Sequence, residues 1–206
     1  MKKITNLIFL AFILFTNSSF SEFKKDGFNP GDPAKDFNLK NIDGKLISLK
    51  DYKNEKGVIV IFTCNNCPYA QAYEQRIIEL HKKYAVLGYP VVAINSNDPV
   101  REPEDSYENM QKRAIEKAYP FVYLFDETQD VAKNYGATRT PHVFLLKKEK
   151  KRFILVYSGA IDDNYEDANA VKTSYLTQAI KELETNKPVS IPGTKAIGCG
   201  IKWKKN

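Results

Sequence analysis

Residues 57–67, with the sequence GVIVIFTCNNC, restrict the possible folds more than any other part of the chain. Up to the first cysteine the run is apolar or β-branched without alternation, which indicates a strand buried on both faces of an α/β sheet. From Pro68 the apolar residues recur at three- and four-residue steps, which predicts an amphipathic helix that ends at Gly88. Cys64 and Cys67 therefore lie where a buried strand passes into a helix.

The rest of the chain continues to alternate between strand and helix patterns. A β-hairpin around the Asp43-Gly44 turn is predicted before the strand and helix just described. After them the sequence predicts a strand at 89–95, a helix capped by Asp105 or Ser106, a strand at 120–126 and a short helix at 128–135. The last predicted elements are a hairpin of strands at 140–146 and 153–159 and a helix at 171–183. Strand, helix and strand in succession imply a right-handed parallel crossover. The sequence therefore predicts one α/β domain, with a central mixed β-sheet flanked by helices and an N-terminal β-hairpin extension.

The first 21 residues, MKKITNLIFLAFILFTNSSFS, have the layout of a secretory signal peptide. Lys2 and Lys3 precede an apolar stretch that is shorter than the ~20 residues of a transmembrane span, and small residues follow it. An uncleaved N-terminal anchor is the alternative. We therefore expect a signal peptide at 1–21, a folded domain at 22–186 and a Pro/Gly-spaced C-terminal tail at 187–206, in a protein that is secreted into the periplasm.

The formal net charge of +6 comes from lysines and arginines that are scattered among many acidic residues. Nucleic-acid binding would need a clustered basic face, and the sequence has none outside the short C-terminal KWKK. We therefore expect no nucleic-acid partner.

The closely spaced cysteines are the main candidates for chemistry. The chain has 3 cysteines in all, and an exported protein keeps a disulfide once it forms. With Cys64 at the helix N-cap and Cys67 in the first turn, the positive helix end would lower the pKa of Cys64 and make it a nucleophile. The more buried Cys67 could then resolve a mixed disulfide. A structural disulfide, and a copper or zinc clip made of Cys64, Cys67 and His142, are the alternatives.

Other positions could belong to the same site. Thr140 and Pro141 open a strand far along the chain, and a proline is allowed at a strand's start. Cys199 could be a third redox thiol, a resolving cysteine, or simply a buried or free thiol. Arg139 could stabilise a thiolate or steer an acidic partner, with a plain surface arginine as the alternative. Residues 162–164 are interpreted as a capped, solvated loop.

A CxxC at a strand–helix junction, followed much later by a Thr-Pro that opens a strand, resembles the thioredoxin superfamily. Peroxiredoxin-like redoxins of the AhpC/TSA family, in their TlpA-type branch, are similar from Gly31 to Lys204 through the segments CNNCPYAQAYEQR, VVAINSNDP, FDETQDVAKNYGA, IDDNY and IGCGIKWK. The resemblance implies a thioredoxin-like domain at 22–186. It also implies a cis peptide bond before Pro141, which packs against the cysteine pair, and a Thr140 that faces the substrate.

Some positions depart from the family pattern. Peroxidase members carry Thr-x-x-Cys, and Ile61 occupies the Thr position before Cys64. Val58 stands where thioredoxins keep a buried carboxylate, so another group would have to transfer the proton, with Asp126 and Glu127 as candidates. These departures weaken the interpretation as a peroxidase, and the interpretation as a thiol–disulfide oxidoreductase remains.

The expected function is an exported thiol–disulfide oxidoreductase in which Cys64 attacks and Cys67 resolves, while Thr140 and Pro141 hold the partner backbone. The expected partners are protein thiols or disulfides, or a membrane-linked reductant, and no cofactor is expected. A thiol-dependent peroxidase acting on hydroperoxides and a copper-binding or metallochaperone module are the alternatives. The sequence predicts neither the oligomeric state nor the direction of electron flow.

Overall fold

A computed structural model describes residues 27–205 of the chain, so the predicted signal peptide lies outside the described residues. The strands in this part are β1 (Asn38–Asn41), β2 (Leu46–Ser48), β3 (Gly57–Phe62), β4 (Val91–Asn95), β5 (Val122–Phe125), β6 (Arg139–Thr140), β7 (His142–Glu149), β8 (Arg152–Gly159) and β9 (Cys199–Gly200). The helices are α1 (Pro68–Tyr84), α2 (Tyr107–Glu116), α3 (Asp130–Tyr135) and α4 (Tyr175–Glu184). Between residues 27 and 205, no helix combines the length and the apolar character that a membrane crossing requires.

Seven strands form one mixed sheet in the order β2-β1-β5-β4-β3-β7-β8. Strand β3 lies inside this sheet, pairs parallel with β4 and antiparallel with β7, and all six of its residues are buried. The uninterrupted apolar run at 57–62 is thus explained by coverage on both faces. The predicted hairpins β1–β2 and β7–β8 are confirmed, as is the β3–α1–β4 crossover.

The side chains of β3 alternate between two cores. Ile59 and Ile61 pack in a cluster with apolar residues of α1, α2 and α4, whereas Val60 and Phe62 pack in a second cluster with residues of α3. Each such side chain contributes roughly 1.5–3 kcal/mol when it is fully buried. Helices therefore cover both faces of the sheet, as the predicted α/β arrangement requires.

Helix α1 is fixed at both ends by residues that the sequence singles out. Pro68 is its first residue, where the missing proline N–H costs no hydrogen bond. After a short 3₁₀ turn at Ala85–Leu87, Gly88 adopts a φ of 89°, in the left-handed region that glycine tolerates best. The helix and the cysteines before it are consequently held in a defined position against the sheet.

The C-terminal segment, residues 187–205, packs back onto the domain. Strand β9 pairs antiparallel with β6 in a separate two-stranded sheet. Farther upstream, Pro192 O accepts from Ser158 N–H and Thr194 N–H donates to Ser158 O. The segment that the sequence separates as a tail thus packs against strands β6 and β8.

Candidate active site

The cysteines lie on the loop between β3 and α1, and the helix begins later than expected. Cys67 is the N-cap, with extended backbone angles of φ −138° and ψ 122°. A residue before proline is disfavoured in helical conformation, so Pro68 keeps Cys67 out of the first turn. The expected placement of Cys64 at the N-cap is therefore wrong, and Cys67 is the cysteine beside the positive helix end.

The two sulfur atoms differ in exposure but share one neighbour. The relative exposure is 6% for Cys64 and 0% for Cys67, so a partner in solution meets Cys64. Cys64 Sγ lies 3.2 Å from Thr140 Oγ1, and the Cys67 thiol donates to Thr140 O at 3.2 Å. The Thr140–Pro141 peptide bond is cis, in agreement with the resemblance. The fold thus brings Cys64, Cys67, Thr140 and Pro141 into one site.

The loop between the cysteines is held by a buried carboxylate that sequence reasoning missed. Asp105 is 0% exposed and accepts from Asn65 N–H at 2.5 Å, from Asn66 N–H at 3.3 Å and from Asn97 Nδ2 at 2.6 Å. Tyr123 O–H donates to Asn65 Oδ1 at 3.0 Å from the neighbouring strand β5. Since these bonds satisfy both the loop and the acid, they fix the spacing of the two cysteines.

The two thiols titrate as a pair, because a hydrogen bond joins their sulfur atoms. That bond is the largest cause of both shifts: it lowers the pKa of Cys67 to about 4 and raises the pKa of Cys64. Burial and the charge of Asp105 raise the pKa of Cys64 further. One proton is therefore shared at neutral pH, and the pair as a whole loses it only at high pH. The expected lowering of the pKa at Cys64 itself is wrong, because the contact with Cys67, burial and the charge of Asp105 all raise it.

The candidates for proton transfer also need revision. Asp126 accepts from Ser96 Oγ at 2.8 Å and from Ala132 N–H at 2.9 Å, so it holds the start of α3. Asp105 is instead the acid whose charge acts on Cys64. Burial raises the pKa of Asp105, against the opposing hydrogen bonds from Asn97 and the cysteine loop. Asp105 is thus the buried carboxylate of this site, although it comes from the 3₁₀ turn before α2 and not from β3.

His142 does not complete a metal clip with the cysteines. Its ring Nε2 lies 3.1 Å from Ser158 Oγ, and the ring packs on Phe144 with centroids 4.5 Å apart. Within the described part of the chain, no three His, Cys, Asp or Glu side chains are grouped closely enough to hold a metal ion. The alternative of a metal clip made of Cys64, Cys67 and His142 therefore finds no support among the described residues.

Cys199, in contrast, reaches the site. It is partly exposed, packs against the Cys64–Cys67 cluster, and its thiol is hydrogen-bonded to the Cys67 sulfur. Burial, followed by the contact with Cys67, raises the pKa of Cys199 to about 11, while the charges of Lys202 and Arg139 lower it. Arg139 is exposed, and its guanidinium lies 3.5 Å from Gly198 O. The sulfur of Cys199 therefore lies with those of Cys64 and Cys67 in one cluster, beside the short β6–β9 strand pair.

Comparison with known proteins gives the family. The AhpC/TSA family model matches residues 30–162. The chain belongs to the AhpC/TSA family. The crystal structure of an uncharacterized conserved protein from Geobacillus kaustophilus is 38% identical, covers 87% of this chain and 94% of its own, and superposes with a TM-score of 0.80. The family match ends before α4, so Cys199 lies outside the residues that define this AhpC/TSA protein as a family member.

Two other relatives bear on the fold and on the enzyme class. The thiol-disulfide oxidoreductase ResA of Bacillus thuringiensis subsp. konkukian is 28% identical over 128 residues, which are 62% of this chain and 69% of ResA. The exposed lipoprotein thioredoxin of Streptococcus pneumoniae strain TIGR4 is 22% identical, with a TM-score of 0.52 over 64% of this chain and 93% of its own. The predicted thioredoxin-like fold, the family and the class of enzyme, an oxidoreductase, are confirmed.

Replacing Asp105 with asparagine is expected to lower the pKa of Cys64, because the substitution removes a negative charge that opposes the thiolate. The effect is measured as the pH profile of alkylation of Cys64 in a Cys67→Ser/Cys199→Ser background, where one thiol titrates. Alkylation at neutral pH should become several-fold faster, since the thiolate is the reacting form. Asp126→Asn removes a buried acid from a different hydrogen-bond network and should leave the profile in place. Equal profiles for Asp105→Asn and its parent would contradict the role of Asp105.

Proposed function

We propose that this AhpC/TSA protein is an exported thiol–disulfide oxidoreductase that uses Cys64 and Cys67 to exchange disulfides with protein or small-molecule thiols. The observation that carries the proposal is the arrangement of the two sulfurs on Thr140. Both lie 3.2 Å from atoms of that residue, beside a cis proline, and Cys64 keeps slight exposure whereas Cys67 is fully enclosed. The similarity to ResA, a named thiol-disulfide oxidoreductase, supports the same chemistry.

The division of roles follows from exposure. Cys64 passes its proton to the hydrogen-bonded Cys67 sulfur and attacks a partner disulfide. The partner sulfur that leaves takes up this proton from Cys67, and a mixed disulfide remains on Cys64. The Cys67 thiolate then attacks Cys64 Sγ, which closes the Cys64–Cys67 disulfide and releases the second partner thiol. The protein is oxidised by two electrons and the partner is reduced by two. The reverse sequence reduces the protein and oxidises the partner.

Thr140 and Pro141 are the residues that would hold a partner beside Cys64. The Thr140 side chain is already directed at Cys64 Sγ, while its backbone pairs with Cys199. A partner strand that used the same backbone edge would have to displace β9. Partners could include protein thiols or disulfides, or a membrane-linked reductant. The signal-peptide pattern at 1–21 supports export to the periplasm, where such partners are oxidised and reduced.

The test is disulfide mapping of the protein across a series of glutathione redox ratios. The protein is taken from the periplasmic fraction, and its N-terminal residue shows whether residues 1–21 have been removed. Mass spectrometry should show the Cys64–Cys67 disulfide opening and closing reversibly within the series. A pair that never interconverts would contradict the proposal, and recovery of the protein with its leader only in the cytoplasm would contradict export.

Hydrogen peroxide added to the same series separates the peroxidase alternative. A disulfide exchange enzyme should react with glutathione disulfide much faster than with peroxide. If one cysteine of the Cys64–Cys67 pair is replaced by serine and the other then accumulates sulfenic acid while peroxide is rapidly consumed, the protein is instead a thiol-dependent peroxidase. Ile61 in place of the peroxidase threonine makes the first outcome the expected one.

A further inference from the structure

Cys67 has a sulfur neighbour on each side. Its thiol is hydrogen-bonded to Cys64 and also to Cys199, whose backbone lies against it as well. Cys67 is fully enclosed, whereas Cys64 retains slight exposure and Cys199 is partly exposed. The enclosed sulfur is therefore shared between two thiols that solvent can reach.

The backbone around Cys199 is built to stay in place. Thr140 and Cys199 are directly opposite in the β6–β9 pair, and Ile201 N–H donates to Thr138 O at 3.2 Å. Two further bonds fix Lys202, whose N–H donates to Asn97 Oδ1 at 2.8 Å and whose carbonyl accepts from Asp98 N–H at 2.9 Å. The Cys199 thiol is thus pre-positioned, so little ordering is needed before it can react.

Residue 198 shows how close this segment comes to the cis proline. A Cβ atom at Gly198 would lie 2.2 Å from Thr140 O, the same carbonyl oxygen that accepts from the Cys67 thiol. Only glycine allows this approach without moving one of the two strands. The contact between Cys199 and Cys67 therefore depends on the absence of a side chain at residue 198.

We propose that Cys199 is a third redox-active residue, which attacks Cys67 and moves the disulfide from Cys64–Cys67 to Cys67–Cys199. The proposal rests on the redox pair of the proposed function, whose partner disulfide supplies the oxidation. In the transfer the Cys199 thiol gives up its proton and bonds to Cys67 Sγ. The Cys64–Cys67 bond breaks, and Cys64 leaves with the electron pair and takes up a proton. No electrons are gained or lost overall.

The transfer frees Cys64 while the protein stays oxidised. Burial still raises the pKa of Cys199 once the Cys64–Cys67 disulfide has closed, and the charges of Lys202 and Arg139 still lower it, but the contact with the reduced Cys67 sulfur, which also raised it, is removed. Oxidation of the pair therefore favours the thiolate that the transfer needs. The Cys64 thiol would then be available for a second partner, and a reductant could attack the disulfide at the partly exposed Cys199.

Tryptic mapping of the oxidised protein tests the transfer. Cys64 and Cys67 share one tryptic peptide, and Cys199 lies on another, so only a bond to Cys199 links the two peptides. With glutathione disulfide as oxidant, the wild-type protein should give both the internal disulfide and the linked peptides. Cys64→Ser should still give the linked peptides through Cys67, and Cys199→Ser should give the internal disulfide alone.

Gly198→Ala provides a variant that keeps all three thiols. It should reduce the fraction of linked peptides by about fivefold or more, because an overpacked contact shifts an equilibrium by at least this factor. Its internal Cys64–Cys67 disulfide should form as before. If no linked peptide appears in the wild-type protein or in Cys64→Ser, while the internal disulfide interconverts, the third redox role is overturned and the proposed function stands. If the internal disulfide is also missing, both are overturned.

Discussion

Replacing Cys64 with serine in a Cys199→Ser background is expected to slow the reaction of the reduced protein with glutathione disulfide by at least about a thousandfold. The one thiol left, Cys67, has 0% exposure and lies beneath Thr140. A thousandfold loss corresponds to about 4 kcal/mol, a plausible free energy for the local opening that would expose a core residue. The rate is followed by mass spectrometry of quenched samples under excess oxidant.

The matched variant is Cys67→Ser in the same background. This variant keeps the slightly exposed sulfur of Cys64 and removes the enclosed sulfur of Cys67. The first attack on glutathione disulfide should therefore remain fast, and the reaction should stop at a mixed disulfide between Cys64 and glutathione. The two variants differ only in which sulfur remains. If they reacted at similar rates, or if the glutathione adduct formed on Cys67, the division of roles between the cysteines would be wrong.

A second large effect is expected at Asp162, where alanine should lower the free energy of unfolding by about 3–5 kcal/mol. Asp162 accepts from Arg76 Nη1 at 2.8 Å and from Tyr73 O–H at 2.6 Å, and the side-chain exposures of Arg76 and Asp162 are 15% and 5%. Arg76 also donates to Asn164 O at 2.6 Å. The substitution leaves a mostly buried guanidinium without its counter-charge. Urea denaturation of the purified variant gives the change.

Asp163→Ala is the control for Asp162. Asp163 is exposed and accepts from Lys172 N–H and Thr173 N–H, both at 3.0 Å, so its loss should lower the free energy of unfolding by much less than the loss of Asp162 does. The substitutions are chemically identical and adjacent in the chain. Equal losses would show that the Arg76–Asp162 contact is worth no more than two exposed hydrogen bonds.

The elements that the sequence predicts well are those whose signals are local. The apolar run before Cys64 and the turn at Asp43-Gly44 each report on neighbouring residues, and both the buried strand and the hairpin are present. Gly88 similarly marks where the first helical segment ends. Local periodicity and turn chemistry are enough for these elements because the same few residues both carry the signal and form the structure.

The parts of the site that the sequence does not predict depend on distant pairs. Asp105 supports the cysteine loop across 40 positions, and nothing near Asp105 indicates Asn65 as its partner. At Asp162 the expected solvated loop is wrong for that residue, because Arg76, 86 positions away, draws it into a buried pair. The sequence offers Cys199 as a candidate redox thiol, but its pairing opposite Thr140 is seen only in the folded chain. Pairings of this kind are set by packing of the whole fold, and no short window contains them.

The complete enclosure of Cys67 has a consequence for reaction order. A partner in solution collides with Cys64, so the rate of that step rises in proportion to partner concentration. Every bond made or broken at Cys67 involves only sulfurs of the same chain, and such a step proceeds at a rate that no concentration changes. At high partner concentration the throughput of the protein therefore reaches a ceiling that is set by the attack of Cys67 on Cys64, with the partner thiol as the leaving group.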